Sequence, residues 1–88
     1  MHHLDIAIYG MVQGVGFRYF IVDHAQNLGI SGRVMNVGNH VEIQAEGKED
    51  DLKRLVEICR AGPARAHVER VRVTEAPEEG FDQFLISG

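Results

Sequence analysis

The chain has 88 residues and a mass of 9.8 kDa, which suits one small domain spanning residues 1–88. Hydrophobic residues make up 44% and charged residues 25%, and the single cysteine excludes a disulfide framework or a zinc site built from cysteines. No apolar run approaches the roughly 20 residues of a membrane-spanning helix, and the N-terminus lacks a signal-peptide pattern. We therefore expect a cytoplasmic protein without a membrane partner, and the small size and acidic balance favour a monomer.

The first half of the chain predicts a strand, a helix and a hairpin. Apolar and polar residues alternate over residues 3–9, which predicts a strand that the following glycines end. Over residues 17–28 apolar residues recur at helical spacing and predict a helix of about three turns. Alternation returns over residues 32–37 and 40–46, and Gly-Asn at residues 38–39 suits a tight turn between them.

The second half predicts a helix and two strands. Residues 49–60 form an amphipathic pattern with acidic residues in the first turn and an arginine in the last, both favourable to the helix dipole. Residues 67–75 read as a strand, and residues 77–80 form a turn. Residues 84–86 then predict a short final strand.

This order of elements predicts an α+β domain, the ferredoxin-like βαββαβ sandwich. We expect an antiparallel sheet with two helices on one face, and a short extra C-terminal strand. The first two strands run parallel with the third between them, so the loop after the first strand and the end of the second lie roughly 10 Å apart. RNA-binding domains share this order, but the net charge of −4 and the absence of Phe, Tyr or Trp from residues 40–46 exclude nucleic acid as a partner.

The glycine-rich stretch of residues 10–18 carries most of the functional information. Glycines let backbone N–H groups converge on an anion, and the helix N-terminus that follows adds the positive end of its dipole. Arg18 in the first helical turn opposes that dipole unless an anion lies between them, and its guanidinium binds phosphate through paired hydrogen bonds. The stretch lacks the Lys-Ser/Thr of a Walker A loop, and Tyr19 replaces the last glycine of a dinucleotide fingerprint. From the residues alone, an anion cradle and a plain glycine turn with a solvated Arg18 both stay open.

Several segments resemble the acylphosphatase family. Val-Gln-Gly-Val-Gly-Phe-Arg at residues 12–18 is similar to one family signature, and Gly-Arg-Val-Met-Asn at residues 32–36 is similar to the other. Residues 62–65 and 84–86 resemble further family segments, so the similarity extends over nearly the whole chain. The resemblance implies a ferredoxin-like fold and hydrolysis of small acyl phosphates to carboxylate and inorganic phosphate, with no metal or other cofactor.

The resemblance also assigns residue roles. It makes Arg18 and Asn36 the catalytic residues, with Asn36 orienting the attacking water. It assigns phosphate binding to the backbone N–H groups of Gln13, Gly14, Val15, Gly16, Phe17 and Arg18. Without the resemblance, Asn36 could instead shape the end of the hairpin. The alternative function is a non-catalytic anion-binding regulatory module of the same fold. Three features depart from the family pattern, namely Met11 in place of a polar or basic residue, a short turn at residues 37–40, and the lack of a basic residue after the final strand, at residues 87–88.

Other polar residues are interpreted as structural. The histidines share no metal-ligand spacing, and we expect His2 and His3 to be solvated at the terminus. Cys59 lies on the apolar stripe of the second helix, which predicts a buried, inert thiol. We interpret Glu46 and the acidic residues 49–51 as the solvated start of that helix.

Overall fold

A computed structural model describes residues 1–87, and Gly88, the last residue of the predicted domain, lies outside the described residues. The elements confirm the predicted order, and the predicted bounds differ from the observed ones by two residues at most. In chain order they are β1 (His2–Met11), α1 (Phe17–Asn27), β2 (Ser31–Val37), β3 (His40–Gly47), α2 (Glu49–Ala61), β4 (His67–Glu75) and β5 (Phe84–Ile86). Neither helix within residues 1–87 has the length and apolar character needed to cross a membrane.

All the strands form one sheet in the order β4-β1-β3-β2-β5. β1 pairs antiparallel with β3 and β4, and β2 pairs antiparallel with β3, as expected. β5 instead lies parallel to β2, so the complete sheet is mixed rather than purely antiparallel. The reason is the connecting segment, residues 76–83, which crosses from the β4 edge of the sheet to the β2 edge. It reaches the β2 edge at the end where β2 begins, so β5 must run in the same direction as β2.

The core lies between one face of the sheet and both helices. Alternation along β1 directs Ile6 and Ile8 toward the helices, and the helical repeat does the same for the apolar stripes of α1 and α2. Burying each large side chain stabilises the fold by about 1.5–3 kcal/mol. Cys59 is buried as expected, and this burial raises the pKa of its thiol to about 12. The helical part of the core is formed by Phe17, Ile21, Ala25, Leu52, Leu55, Val56 and Cys59.

β1 ends within the glycine cluster as predicted, but it extends past the first glycine of that cluster. β1 continues to Met11 through a bulge after Tyr9, and Gly10 there adopts a φ of 129°. A Cβ at Gly10 would lie 2.2 Å from the backbone oxygen of His67, so this close approach of β1 and β4 requires glycine. The glycine-rich loop therefore begins only at Val12.

The prediction that His3 and Glu46 are solvated is wrong. They are 3% and 2% exposed, because the connecting segment covers them on the side of the sheet that faces away from the helices. The His3 ring lies between two carboxylates, with Nδ1 2.7 Å from Glu46 Oε2 and Nε2 2.7 Å from Asp5 Oδ1. A neutral imidazole has only one N–H to donate, so two carboxylate partners favour the protonated ring. Burial lowers the pKa of His3, but the hydrogen bonds to Glu46 and Asp5 outweigh it and raise the pKa above 6.5.

Glu46 fastens the connecting segment to the sheet. Its carboxylate accepts hydrogen bonds from the backbone N–H groups of Glu79, Gly80 and Phe81, in addition to the one from His3. Burial raises the pKa of Glu46, but these hydrogen bonds outweigh it and hold the pKa at about 2. One buried carboxylate thus satisfies three backbone donors of a segment that has no regular secondary structure.

Candidate active site

The glycine-rich loop (residues 12–16) joins the end of β1 to the start of α1. Gly14 and Gly16 adopt left-handed backbone conformations, with φ values of 73° and 76°. Residues with a Cβ rarely take this conformation, which explains the need for glycine at both positions. Left-handed residues alternating with ordinary ones are typical of the concave backbone arrangements that bind anions.

The N-terminus of α1 opens directly onto this loop. Gly16 occupies the cap position and has no side chain to accept a hydrogen bond from the first-turn N–H groups. The first turn also contains no acidic residue, so nothing on the helix itself balances the positive end of its dipole. Arg18 adds a further positive charge in that turn. The combination favours an anionic ligand at the helix N-terminus.

The loop and the end of β2 meet around one small cavity. The volume of the cavity is about 90 Å³, which is room for a small anion or a few water molecules. β1 and β2 are separated only by β3, so Arg18 and Asn36 both reach the cavity from the same end of the sheet. The lining residues are Val12, Gln13, Gly14, Gly16, Phe17, Arg18, Tyr19 and Asn36.

Asn36 contributes an acceptor atom that the protein leaves unpaired. It is the second-last residue of β2 and pairs with Val41 of β3. Its side-chain oxygen, Oδ1, is buried, and within residues 1–87 it has no hydrogen-bond partner. A buried acceptor left unpaired costs about 1–3 kcal/mol, so this oxygen requires water or a ligand as its partner.

The structure brings together most of the residues predicted for the site. Val15 is the exception among the predicted loop residues, because it does not line the cavity and its side chain packs partly buried against the core. Two cavity residues were not predicted as site residues, namely Val12, which is buried, and Tyr19, which is 69% exposed at the rim. The signal for both was their position beside the motif, since they directly flank the glycines and Arg18.

A larger cavity of about 210 Å³ lies on the open face of the sheet, among Asp5, Tyr9 and Arg72. It is lined by strand residues alone, without the glycine loop or a helix N-terminus, so size does not identify the site. Tyr9 stacks there against His40, with ring centroids 4.6 Å apart. Within residues 1–87, no three or more His, Cys, Asp and Glu residues are grouped so as to hold a metal ion.

The fold and the site define a class of small α+β domains in which a glycine-rich loop and a helix N-terminus line one cavity. The family model for acylphosphatase matches residues 4–86. An acylphosphatase of Thermotoga maritima is 45% identical over 87 residues, covering 98% of this chain and 97% of its own. The crystal structure of acylphosphatase from Bacillus subtilis superposes with a TM-score of 0.97 at 39% identity and full coverage of both chains. The chain belongs to the acylphosphatase family, which confirms the resemblance seen in its sequence.

Proposed function

We propose that the chain hydrolyses acyl phosphates with Arg18 and the glycine-rich loop holding the phosphoryl group and Asn36 orienting the attacking water. Family and fold support acyl phosphate hydrolysis, and as an acylphosphatase the chain is a hydrolase acting on acid anhydrides. Its substrate is then a small acyl phosphate and its product inorganic phosphate. The single observation that supports the residue roles is that Arg18, Asn36 and the loop line one cavity.

The phosphoryl group is bound by positive charge and N–H donors. In phosphoryl transfer, charge is spread over the three equatorial oxygens, and a protein contributes mainly positioning and electrostatic stabilisation. The first-turn N–H groups of α1, the loop backbone and the Arg18 guanidinium supply both. A guanidinium donates two parallel hydrogen bonds to neighbouring oxygens, which also fixes the orientation of the group.

The attacking water is held by Asn36. The unpaired Oδ1 accepts a hydrogen bond from the water and aims the water oxygen at phosphorus, opposite the acyl oxygen. The new P–O bond forms while the bond from phosphorus to the acyl oxygen breaks, and the carboxylate leaves with the electron pair. The proton of the water passes to a phosphoryl oxygen of the substrate, which yields inorganic phosphate. Because a carboxylate is a good leaving group, no strong protein base is required.

The non-catalytic alternative explains less of the site. A module that only binds an anion needs the loop and Arg18, but it has no need of a further residue at the same cavity to orient water. The presence of Asn36 in the cavity lining therefore favours the hydrolase.

The test is phosphate release from benzoyl phosphate in the presence of EDTA. We expect Arg18→Ala to lower kcat/KM by about 10³-fold or more and Asn36→Ala to lower kcat by about 10²-fold. The matched controls are Arg54→Ala on the outer face of α2 and Asn27→Ala at the far end of α1, which should keep full activity. An inert wild type that binds inorganic phosphate through Arg18 would support the binding module instead. A kcat profile that requires a protein base near neutral pH would contradict the substrate phosphate as proton acceptor.

Monomeric state and cytoplasmic location stay predictions from the sequence. Analytical ultracentrifugation of the purified chain tests the first, and a sedimentation coefficient of a dimer would contradict it. Localisation of a tagged full-length chain tests the second.

A further inference from the structure

The side chain of Gln13 connects the glycine-rich loop to the hairpin that carries Asn36. Its amide nitrogen Nε2 lies 3.0 Å from the backbone oxygen of Gly38 and 2.9 Å from that of His40. Both acceptors are carbonyl oxygens, so only the NH₂ group of the amide can face them, and each of its hydrogens has a partner. We name these two hydrogen bonds the Gln13 bridge.

The bridge spans two parts of the chain that have no ladder hydrogen bonds to each other. β3 separates β1 from β2 in the sheet, so strand pairing alone does not hold the loop after β1 against the turn after β2. The turn begins two residues after Asn36 and contains only Gly38 and Asn39. Gly38 has a φ of 57° while Asn39 does not have a positive φ, which is the pattern of a type II′ turn. Such a short turn moves with its strand ends, so holding the turn also holds Asn36.

We propose that Gln13 is a positioning residue that sets the distance between the phosphate-binding loop and the water-orienting oxygen of Asn36. This inference depends on the function proposed above. The phosphoryl group is held from the loop side and the water from the β2 side, so in-line attack requires a fixed spacing between the two sides. A displacement of about 1 Å in such a site can cost 10²-fold in rate.

The proposal separates the two roles of Gln13. Its backbone N–H belongs to the predicted phosphate-binding loop and is present in every variant. Loss of the side-chain amide should therefore leave phosphate binding nearly intact and reduce the chemical step. We expect Gln13→Met to lower kcat by about 10- to 100-fold while KM, and the inhibition constant of inorganic phosphate, change by less than about 3-fold.

Two further variants exclude a merely structural explanation. Gln13→Glu keeps the shape of the side chain but turns an oxygen toward both carbonyls, so its kcat should fall at least as far as that of Gln13→Met. Gln26 offers a matched control, because its Nε2 donates to the backbone oxygen of Phe84 at 3.2 Å and ties α1 to β5 away from the cavity. Gln26→Met removes a comparable bond and should keep the wild-type kcat.

The decisive experiment is a double-mutant cycle with Asn36→Ala, with folding of each variant checked by circular dichroism. If Gln13 acts through Asn36, the Gln13→Met change costs less than about 3-fold once Asn36 is absent. An equal loss in both backgrounds, a loss expressed only in KM, or an unchanged kcat in Gln13→Met would each overturn the proposal.

A readout without turnover keeps the inference distinct from the proposed function. In ¹H–¹⁵N spectra, the side-chain amide signals of Asn36 should shift in Gln13→Met and stay in place in Gln26→Met. An inert wild type would refute the hydrolase and with it the catalytic part of this proposal. Unmoved Asn36 signals would refute the positioning role whether or not the wild type is active.

Discussion

Replacing Glu46 with glutamine should strongly destabilise the fold without touching the candidate active site. Glu46→Gln keeps the shape of the side chain but removes the charge that His3 and three backbone N–H groups share. The hydrogen bonds outweigh burial and lower the pKa of Glu46 from an ordinary 4.5 to about 2, which corresponds to about 3 kcal/mol of stability in the ionised form. Removing one partner of a buried ion pair typically costs about 3–5 kcal/mol of stability. This general value is similar to the loss calculated from the pKa of Glu46.

The pH dependence follows from the direction of the shift. Because the folded pKa of Glu46 lies below the unfolded one, its contribution is complete above about pH 4.5 and is lost as the pH falls toward 2. The free-energy gap between wild type and Glu46→Gln should therefore narrow between about pH 4.5 and 2. Above about pH 6.5 it should also narrow as His3 loses the proton that Glu46 stabilises. At neutral pH, a loss of about 3 kcal/mol in a chain of this size lowers Tm by roughly 12–24 °C.

The assay is urea unfolding followed by circular dichroism, from pH 7 downward. The control is Glu42→Gln, whose carboxylate lies 2.8 Å from His40 Nε2 but is 43% exposed, so its loss should cost less than about 1 kcal/mol. If Glu46→Gln matched this control at pH 7, or if its gap to wild type stayed constant down to pH 2, the role assigned to the buried carboxylate would be refuted.

Three further predictions test the core and the buried histidine. Protonated His3 stabilises the fold below about pH 6.5, and this contribution is lost as the pH rises through the higher pKa of the folded state. In urea unfolding, the loss of stability caused by His3→Gln should therefore shrink at alkaline pH. A loss of stability that does not change with pH would contradict this role of His3. Gly32→Ala would place a Cβ 1.8 Å from the backbone oxygen of Gln44, at a φ of 142°, and should lower the free energy of unfolding by about 3 kcal/mol or more. The control is Gly29→Ala, whose Cβ would meet no atom within 4 Å and which should cost only about 1 kcal/mol for its positive φ. Equal losses of the two variants in thermal denaturation would refute the clash. Burial raises the pKa of the Cys59 thiol to about 12, so Ellman's reagent at pH 8 should label Cys59 only after the chain is unfolded in urea. Fast labelling of the native chain would show that the thiol is accessible and would refute its burial.

Local patterns in the sequence were sufficient to predict the order of the elements and to mark the loop that lines the candidate active site. Hydrophobic periodicity reflects which face of a helix or strand is buried. It predicted a strand over residues 67–75, and β4 spans the same residues. Glycine spacing reflects backbone conformations that other residues avoid, which marked the loop before α1. The role of Asn36 was harder to predict, because an asparagine near a turn has an ordinary structural explanation and only the family resemblance carried by both motifs favoured a functional role.

The sequence by itself determined which segments become helices and strands, because this property depends mainly on neighbours a few residues away. The tertiary structure alone decided the properties that arise from distant parts of the chain. His3 and Glu46 lie on the polar sides of their strands and are buried only because residues 76–83 cross over them. The bridge from Gln13 spans 25 and 27 residues, and no periodicity along the chain encodes a contact between a loop and a turn. Such contacts form only when the sheet order places β1 and β2 on either side of β3, with the end of β1 and the end of β2 at the same end of the sheet.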